Sequence, residues 1–96
     1  MAKNALPHPT YQMNQWVTRI WETDRRYYVS EVKQDIFGQW ILVKRWGSQF
    51  SRRGNSQTVV VGDRDRAVEM LDDVARRRAQ RHYRLVGCQE LAPISK

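Results

Sequence analysis

The chain contains one cysteine, Cys88, and only two histidines. A single cysteine excludes an intramolecular disulfide, and two distant histidines offer no metal-ligand spacing. A reducing, intracellular and cytoplasmic setting is the simplest expectation. No apolar run approaches the roughly eighteen residues of a membrane span, and the opening MAKNALPHPT lacks the apolar stretch of a secretory signal, so no membrane partner is expected. Catalytic patterns are equally sparse. Asp72 and Asp73 are chain neighbours that point about 100° apart on a helix and cannot share one proton transfer. A Cys88–His82 nucleophile pair has no supporting motif. No glycine pattern cradles a phosphate. The chain reads as non-enzymatic, with no catalytic residue, metal or cofactor.

What is present is a small core and a lopsided charge. The 96 residues are one domain's worth, and 41% apolar content with four tryptophans suffices for a packed fold. The net charge is +7. Residues 44 to 53 hold Lys44, Arg45, Arg52 and Arg53 without an acid, and residues 76 to 84 hold Arg76, Arg77, Arg78, Arg81 and Arg84, again without one. These windows carry nine cations, so the remainder of the chain is slightly acidic. Two such segments meeting in space make the positive surface of a polyanion binder; scattered, they are only a solubilising charge.

Residues 1 to 14 contain both early prolines and no periodic pattern, and read as a flexible leader. Strand-prone stretches follow over residues 15–22, 27–33, 40–46 and 57–62, the first alternating and the third with a continuous apolar run that leaves its buried face open, with TDRR as a turn and GSQFSRRGNS as a loop. The period then changes. From residue 63 to about 82, Ala67, Leu71, Val74, Ala75, Ala79 and His82 recur at helical spacing, and Asp63 after Gly62 suits an N-cap. The pattern predicts an α+β fold, a small twisted antiparallel sheet of four to five strands with one long helix packed across one face. The domain is expected over residues 15–87, with a tail over 88–96 that adds a short strand or stays loose.

The helix arginines admit a bland reading. Asp72 and Asp73 precede Arg76 and Arg77 by four residues, the favourable order for intrahelical ion pairs. Arg77, Arg81 and Arg84 are expected on one side of the helix, as an auxiliary basic surface. Arg78 falls in the apolar stripe, with its stem expected along the sheet and its head in water. The stretch KRWGSQFSRRGN is the stronger candidate. A tryptophan ending a strand ordinarily belongs to the core. Here Gly47 beside Trp46 permits close approach or a positive φ, and Lys44, Arg45, Arg52 and Arg53 surround it, with Ser51 and Asn55 as neutral hydrogen-bonding groups. A flat indole with guanidinium neighbours suits a sugar-phosphate or an unstacked base.

At these residues the chain resembles the WGR domain family, named for a Trp-Gly-Arg triplet at a strand end. The resemblance runs from about Trp16 to Leu85 and rests on RRYYVSEV, DIFGQWILVKRWG, SQFSRRGNS, QTVVV, and the helix with RAVEML ending in RHY. It implies a twisted antiparallel sheet with one helix, and a role like that of the WGR domain in DNA-break-activated poly(ADP-ribose) polymerases. There the tryptophan packs against the sugar at a DNA end, neighbouring basic residues touch the backbone, and the arginine couples the contact to other domains. By position the tryptophan role falls on Trp46 and the glycine role on Gly47. The third position is Ser48, so the resemblance carries neither interdomain coupling nor end specificity to this chain; Arg52 or Arg53 would supply the missing charge. The chain has no room for a polymerase catalytic domain, and stand-alone chains of this kind resemble bacterial proteins.

The expected function is a non-enzymatic DNA- or other nucleic-acid-binding module, with Lys44, Arg45, Trp46, Gly47, Arg52, Arg53 and Asn55 in contact and Arg77, Arg81 and Arg84 attracting at long range. The alternative is a protein-interaction domain recognising an acidic partner, because tryptophan and arginine are frequent interface anchors. Nothing in the sequence speaks to oligomeric state.

Overall fold

A computed structural model describes residues 11–90, except for the side chain of Glu90. A short 3-10 turn (Met13–Gln15) precedes β1 (Val17–Glu22), β2 (Arg26–Gln34), β3 (Trp40–Ser48), β4 (Gly54–Val60), α1 (Arg64–Gln80) and β5 (Arg84–Glu90). The strands form one antiparallel sheet in the order β4-β3-β2-β1-β5, so α1 leaves one edge of the sheet, crosses it and delivers the chain to the other edge. This is the α+β architecture that the sequence pattern predicts, with five strands.

Alternation sorts the strands onto two faces. Val17 and Trp21 of β1, Tyr28 and Val32 of β2 and Leu42 of β3 share a face with the buried helix residues Ala67, Leu71 and Val74, and together they form the core. The other face carries no helix. Across three strands the rings of Trp21, Tyr28 and Trp46 form a row, since Trp21 pairs with Tyr28 and Tyr28 with Trp46 in the sheet register. Trp21 meets Tyr28 edge-on at 6.1 Å, and Tyr28 stacks on Trp46 at 5.9 Å and 14°. Arg19 crosses from the sheet to the helix and pairs with Asp72 at 3.1 Å.

The turns follow from their side chains. Asp35 accepts from the backbone N–H groups of Phe37 and Gln39, and Gly38 takes a φ of 80°, which closes the β2–β3 hairpin. Thr23 accepts from the N–H groups of Arg25 and Arg26, turning β1 into β2. Gln49 then ties the β3–β4 hairpin to that turn: its backbone N–H donates to the Arg25 carbonyl at 2.7 Å, and its side chain to the Thr23 carbonyl at 2.7 Å. Asp63 caps α1, as its position predicts, by accepting from the Asp65 N–H.

Several local expectations change. GSQFSRRGNS is not a loop throughout: β3 continues through Ser48 and β4 starts at Gly54, leaving residues 49–53 as the hairpin tip. The helix stops at Gln80. His82 has a φ of 66° and lies exposed, not on an apolar face, and Ala79 is exposed too, because the last turn overhangs the sheet. Asp72 is taken by Arg19, and Asp73 pairs with Arg76 in place of Arg77. The expected tail and the preceding residues form β5, which pairs along β1 as far as Val17 with Glu90. Of the leader, residues 1–10 lie outside the described residues, as does the tail beyond residue 90. Gln12 within the leader is anchored, its N–H donating to the Gln34 side chain at 2.7 Å.

Candidate nucleic-acid interface

Three connections converge at one end of the sheet: the β1–β2 turn, the β3–β4 hairpin tip, and the end of α1 leading into β5. All carry arginine. With Lys44 of β3, this end holds Arg25, Arg26, Arg52, Arg53, Arg77, Arg78, Arg81 and Arg84 against Glu22 and Asp24. Nine cations against two acids equal the whole net charge of the chain, +7, so everything else cancels. The cancellation is also local. Arg19–Asp72, Arg45–Glu31, Arg64–Asp65, Arg66–Glu69 and Arg76–Asp73 are ion pairs away from this end, whereas the cationic end has only Arg84–Asp24, at 3.7 Å, among the described residues.

Between α1 and the sheet at this end lies a concave site of about 810 Å³. Arg25 and Arg26 border it from the turn, Lys44, Trp46 and Gln57 from the sheet, and Arg78, Arg81 and Tyr83 from the end of α1; Tyr28 lies at its base and Asp24 is its one acid. Trp46 is half-buried, so it is both a core neighbour and a wall of the cavity. Burial raises the pKa of the Tyr28 phenol, with Arg78 partly offsetting the rise, so the ring beneath the cavity stays neutral.

Arg78 is held in an unusual way. Its guanidinium lies 4.2 Å from the Tyr28 ring centroid and 4.9 Å from that of Tyr83. The cap of α1 builds this cage. The Tyr83 N–H donates to the Arg78 carbonyl and the His82 N–H to the Ala79 carbonyl, the double bond of a Schellman motif with His82 in the left-handed position usually given to glycine. The motif folds the residue after His82 back against the helix, so Tyr83 meets Arg78. Arg78 is half-buried and lines the cavity, as a head directed to water would, but its Nε is buried, without a hydrogen-bond partner among the described residues.

The residues singled out in the sequence divide accordingly. Lys44, Trp46 and Arg81 line the cavity. Asn55 stands opposite Trp46 in β4. Arg52 and Arg53 sit on the exposed hairpin tip, close along the chain but not in the cavity wall. Arg45 projects from the helix-free face, where Glu31 holds it at 3.0 Å; a two-residue period separates it from both of its neighbours. Arg77 is exposed on α1, and Arg84 belongs to β5, not to the helix. Gly47 does not adopt a positive φ. Its closeness is to Tyr27, since a Cβ there would lie 3.0 Å from the Tyr27 hydroxyl on the helix-free face. The sequence reading missed Arg25, Arg26 and Arg78. The RR of TDRR was the available signal for the first two.

Among the described residues, no group of three or more His, Cys, Asp or Glu side chains could hold a metal ion, and no helix is long and apolar enough to cross a membrane. The family model that matches is that of the WGR domain, over residues 12–89. Searches of the curated proteins and of the solved structures gave no match.

Proposed function

Because this chain belongs to the WGR domain family, a nucleic-acid-binding type of domain in poly(ADP-ribose) polymerases and a binding module by nature rather than a catalytic one, we propose that it binds DNA or another nucleic acid through the cationic end of the sheet. The observation that carries this reading is the gathering of nine cations with two acids at one end of the sheet, five of the cations lining one aromatic-walled cavity. Lys44, Arg26 and Arg81 contact phosphates at the cavity, Arg52 and Arg53 reach along the backbone from the hairpin tip, and Trp46 packs against a sugar or base. Arg26 lies directly opposite Ser48 in the register. It therefore places a cation beside the position where the family triplet has its arginine, a substitution the hairpin arginines were expected to make.

Fluorescence anisotropy with blunt duplex, nicked duplex and single strands at several salt concentrations tests the proposal. With roughly four to six phosphates engaged, the log-log salt slope on duplex is expected at about −4 to −5. A flat, weak response with all three probes refutes it and points to an acidic protein partner.

A further inference from the structure

Arg78 is the cavity cation with a buried guanidinium nitrogen that has no hydrogen-bond partner among the described residues. Tyr28 and Tyr83, whose rings stand at 78° to each other with centroids 6.4 Å apart, flank the guanidinium on two adjacent sides, while the residue also lines the cavity. The Arg78 Nε finds no acceptor among the described residues, although a buried charged donor is costly to leave unpaired. Among the described residues no carboxylate pairs with it. Asp24, the single acid of the cavity, lies 3.7 Å from Arg84 and is itself exposed. The negative end of the α1 macrodipole supplies about half a charge, too little to neutralise the five cations of the cavity wall. The surplus of cations over acids at this position suits an anion.

We propose that the caged guanidinium of Arg78 receives the phosphate of a single nucleotide lodged in the cavity, with Trp46 against the sugar or base. This rests on the nucleic-acid reading above and adds to it a pocket for one nucleotide, free or at the end of an unpaired strand. The volume, about 810 Å³, falls in the range of small-molecule sites, roughly 300–1,000 Å³. Flat aromatic walls select a ring-bearing ligand over a bare anion. Five lining cations against one acid favour a doubly charged phosphate over a carboxylate. Contact with two tyrosine rings restrains the guanidinium in advance, so little freedom is lost when a phosphate docks on it.

The test follows the Arg78 Nε–H resonance by proton–nitrogen correlation spectroscopy while adenosine monophosphate, adenosine, ribose phosphate, inorganic phosphate or a short single-stranded oligonucleotide is added. A saturable shift with adenosine monophosphate or with the oligonucleotide is expected, the two reporting the free and strand-end sources. Adenosine and inorganic phosphate should each bind at least about tenfold more weakly than adenosine monophosphate, since each offers half of the ligand. Arg78→Lys keeps the charge but loses the planar fork, and should weaken nucleotide binding by about tenfold or more. Arg66→Gln, paired with Glu69 away from the cavity, should not. Should Arg78→Lys fail to fold, the wild-type titration alone decides. No saturable shift with either nucleotide probe, or Arg78→Lys binding as well as wild type, overturns the inference. If duplex then still binds with its steep salt dependence, the backbone reading stands without the pocket; if duplex also fails to bind, both fall.

Discussion

Gly47 follows the tryptophan that walls the cavity, and its role can be separated from that of any ligand by one double-mutant cycle. A Cβ placed on Gly47 would lie 3.0 Å from the Tyr27 hydroxyl, 3.1 Å from a Tyr27 ring carbon and 3.1 Å from the Arg53 carbonyl oxygen. All three distances are shorter than ordinary van der Waals contact. Tyr27 spans the helix-free face and also covers Gly54, where a Cβ would come within 2.5 Å of the same hydroxyl. The ring thus lies in a trough made by two glycines on neighbouring strands, paired with each other in the register. Gly47→Ala must displace it. Overpacking of this kind costs about 1–3 kcal/mol, offset by roughly 0.5–1 kcal/mol from the lower chain entropy of alanine, so a net destabilisation of about 1–2 kcal/mol is expected.

With Tyr27→Ala already present, the ring contacts vanish and only the Arg53 carbonyl remains near the added methyl. Gly47→Ala should then be close to neutral, giving a coupling energy of about 1–2 kcal/mol between the two sites. Urea unfolding of the wild type, both single variants and the double variant measures this directly. Anisotropy on duplex DNA, run on the same proteins, should show unchanged affinity for Gly47→Ala, because Tyr27 lies on the face away from the cavity. Additive stabilities within about 0.5 kcal/mol would refute the argument. So would a variant as stable as wild type that binds more weakly, since the glycine would then serve the ligand.

The remaining predictions use other contrasts. Lys44→Gln should weaken duplex binding and lower the salt slope by about one, whereas Arg45→Gln, one residue on but held by Glu31 on the opposite face, should change neither. His82→Gly should raise stability by up to about 1 kcal/mol in thermal unfolding, because His82 occupies a left-handed conformation that costs a side chain of its size. The raised pKa of Tyr28 means that the folded state holds this proton more tightly than the unfolded one. Stability is then unaffected well below the ordinary tyrosine value of 10.0 and falls as the pH rises through it, and Tyr28→Phe should show a shallower fall in melting temperature between about pH 9 and about pH 11.

The parts of the fold legible in the sequence are those governed by a single period. Alternation located the centres of β1 to β4, and Ala67, Leu71 and Val74 at spacings of four and three located the buried side of α1. Boundaries were legible only where a side chain enforces them, as Asp63 does at the start of the helix. At its other end the stop is made by backbone hydrogen bonds around His82, a residue that carries no such signal, and the stripe was read too far. The hairpin tip misled through composition. Glycine, serine and asparagine suggested a loop, yet Gly47 and Gly54 are strand residues kept small by a tyrosine twenty or more positions away in sequence. Lys44 and Arg45 were grouped as one basic cluster although a two-residue period sends them to opposite faces; once β3 is extended to Ser48, that separation follows from the sequence alone.

The site itself was half legible for a physical reason. Charge density along the chain finds cations that are close in sequence, but the cationic end is assembled from three chain reversals whose proximity depends on topology. The crossing of α1 from the β4 edge to the β5 edge brings Arg78 and Arg81 over Lys44, and Gln49 draws the hairpin tip to the turn carrying Arg25 and Arg26. Five ion pairs hold the arginines elsewhere, while nine cations remain together with two acids. Like charges at separations within the Debye length of about 8 Å repel, so this arrangement opposes folding. A fold selected for stability alone would interleave acids here as it does along the rest of α1. The uncompensated end, with Arg78 among its cations, makes physical sense under the proposed function, in which a polyanion would supply the counter-charge.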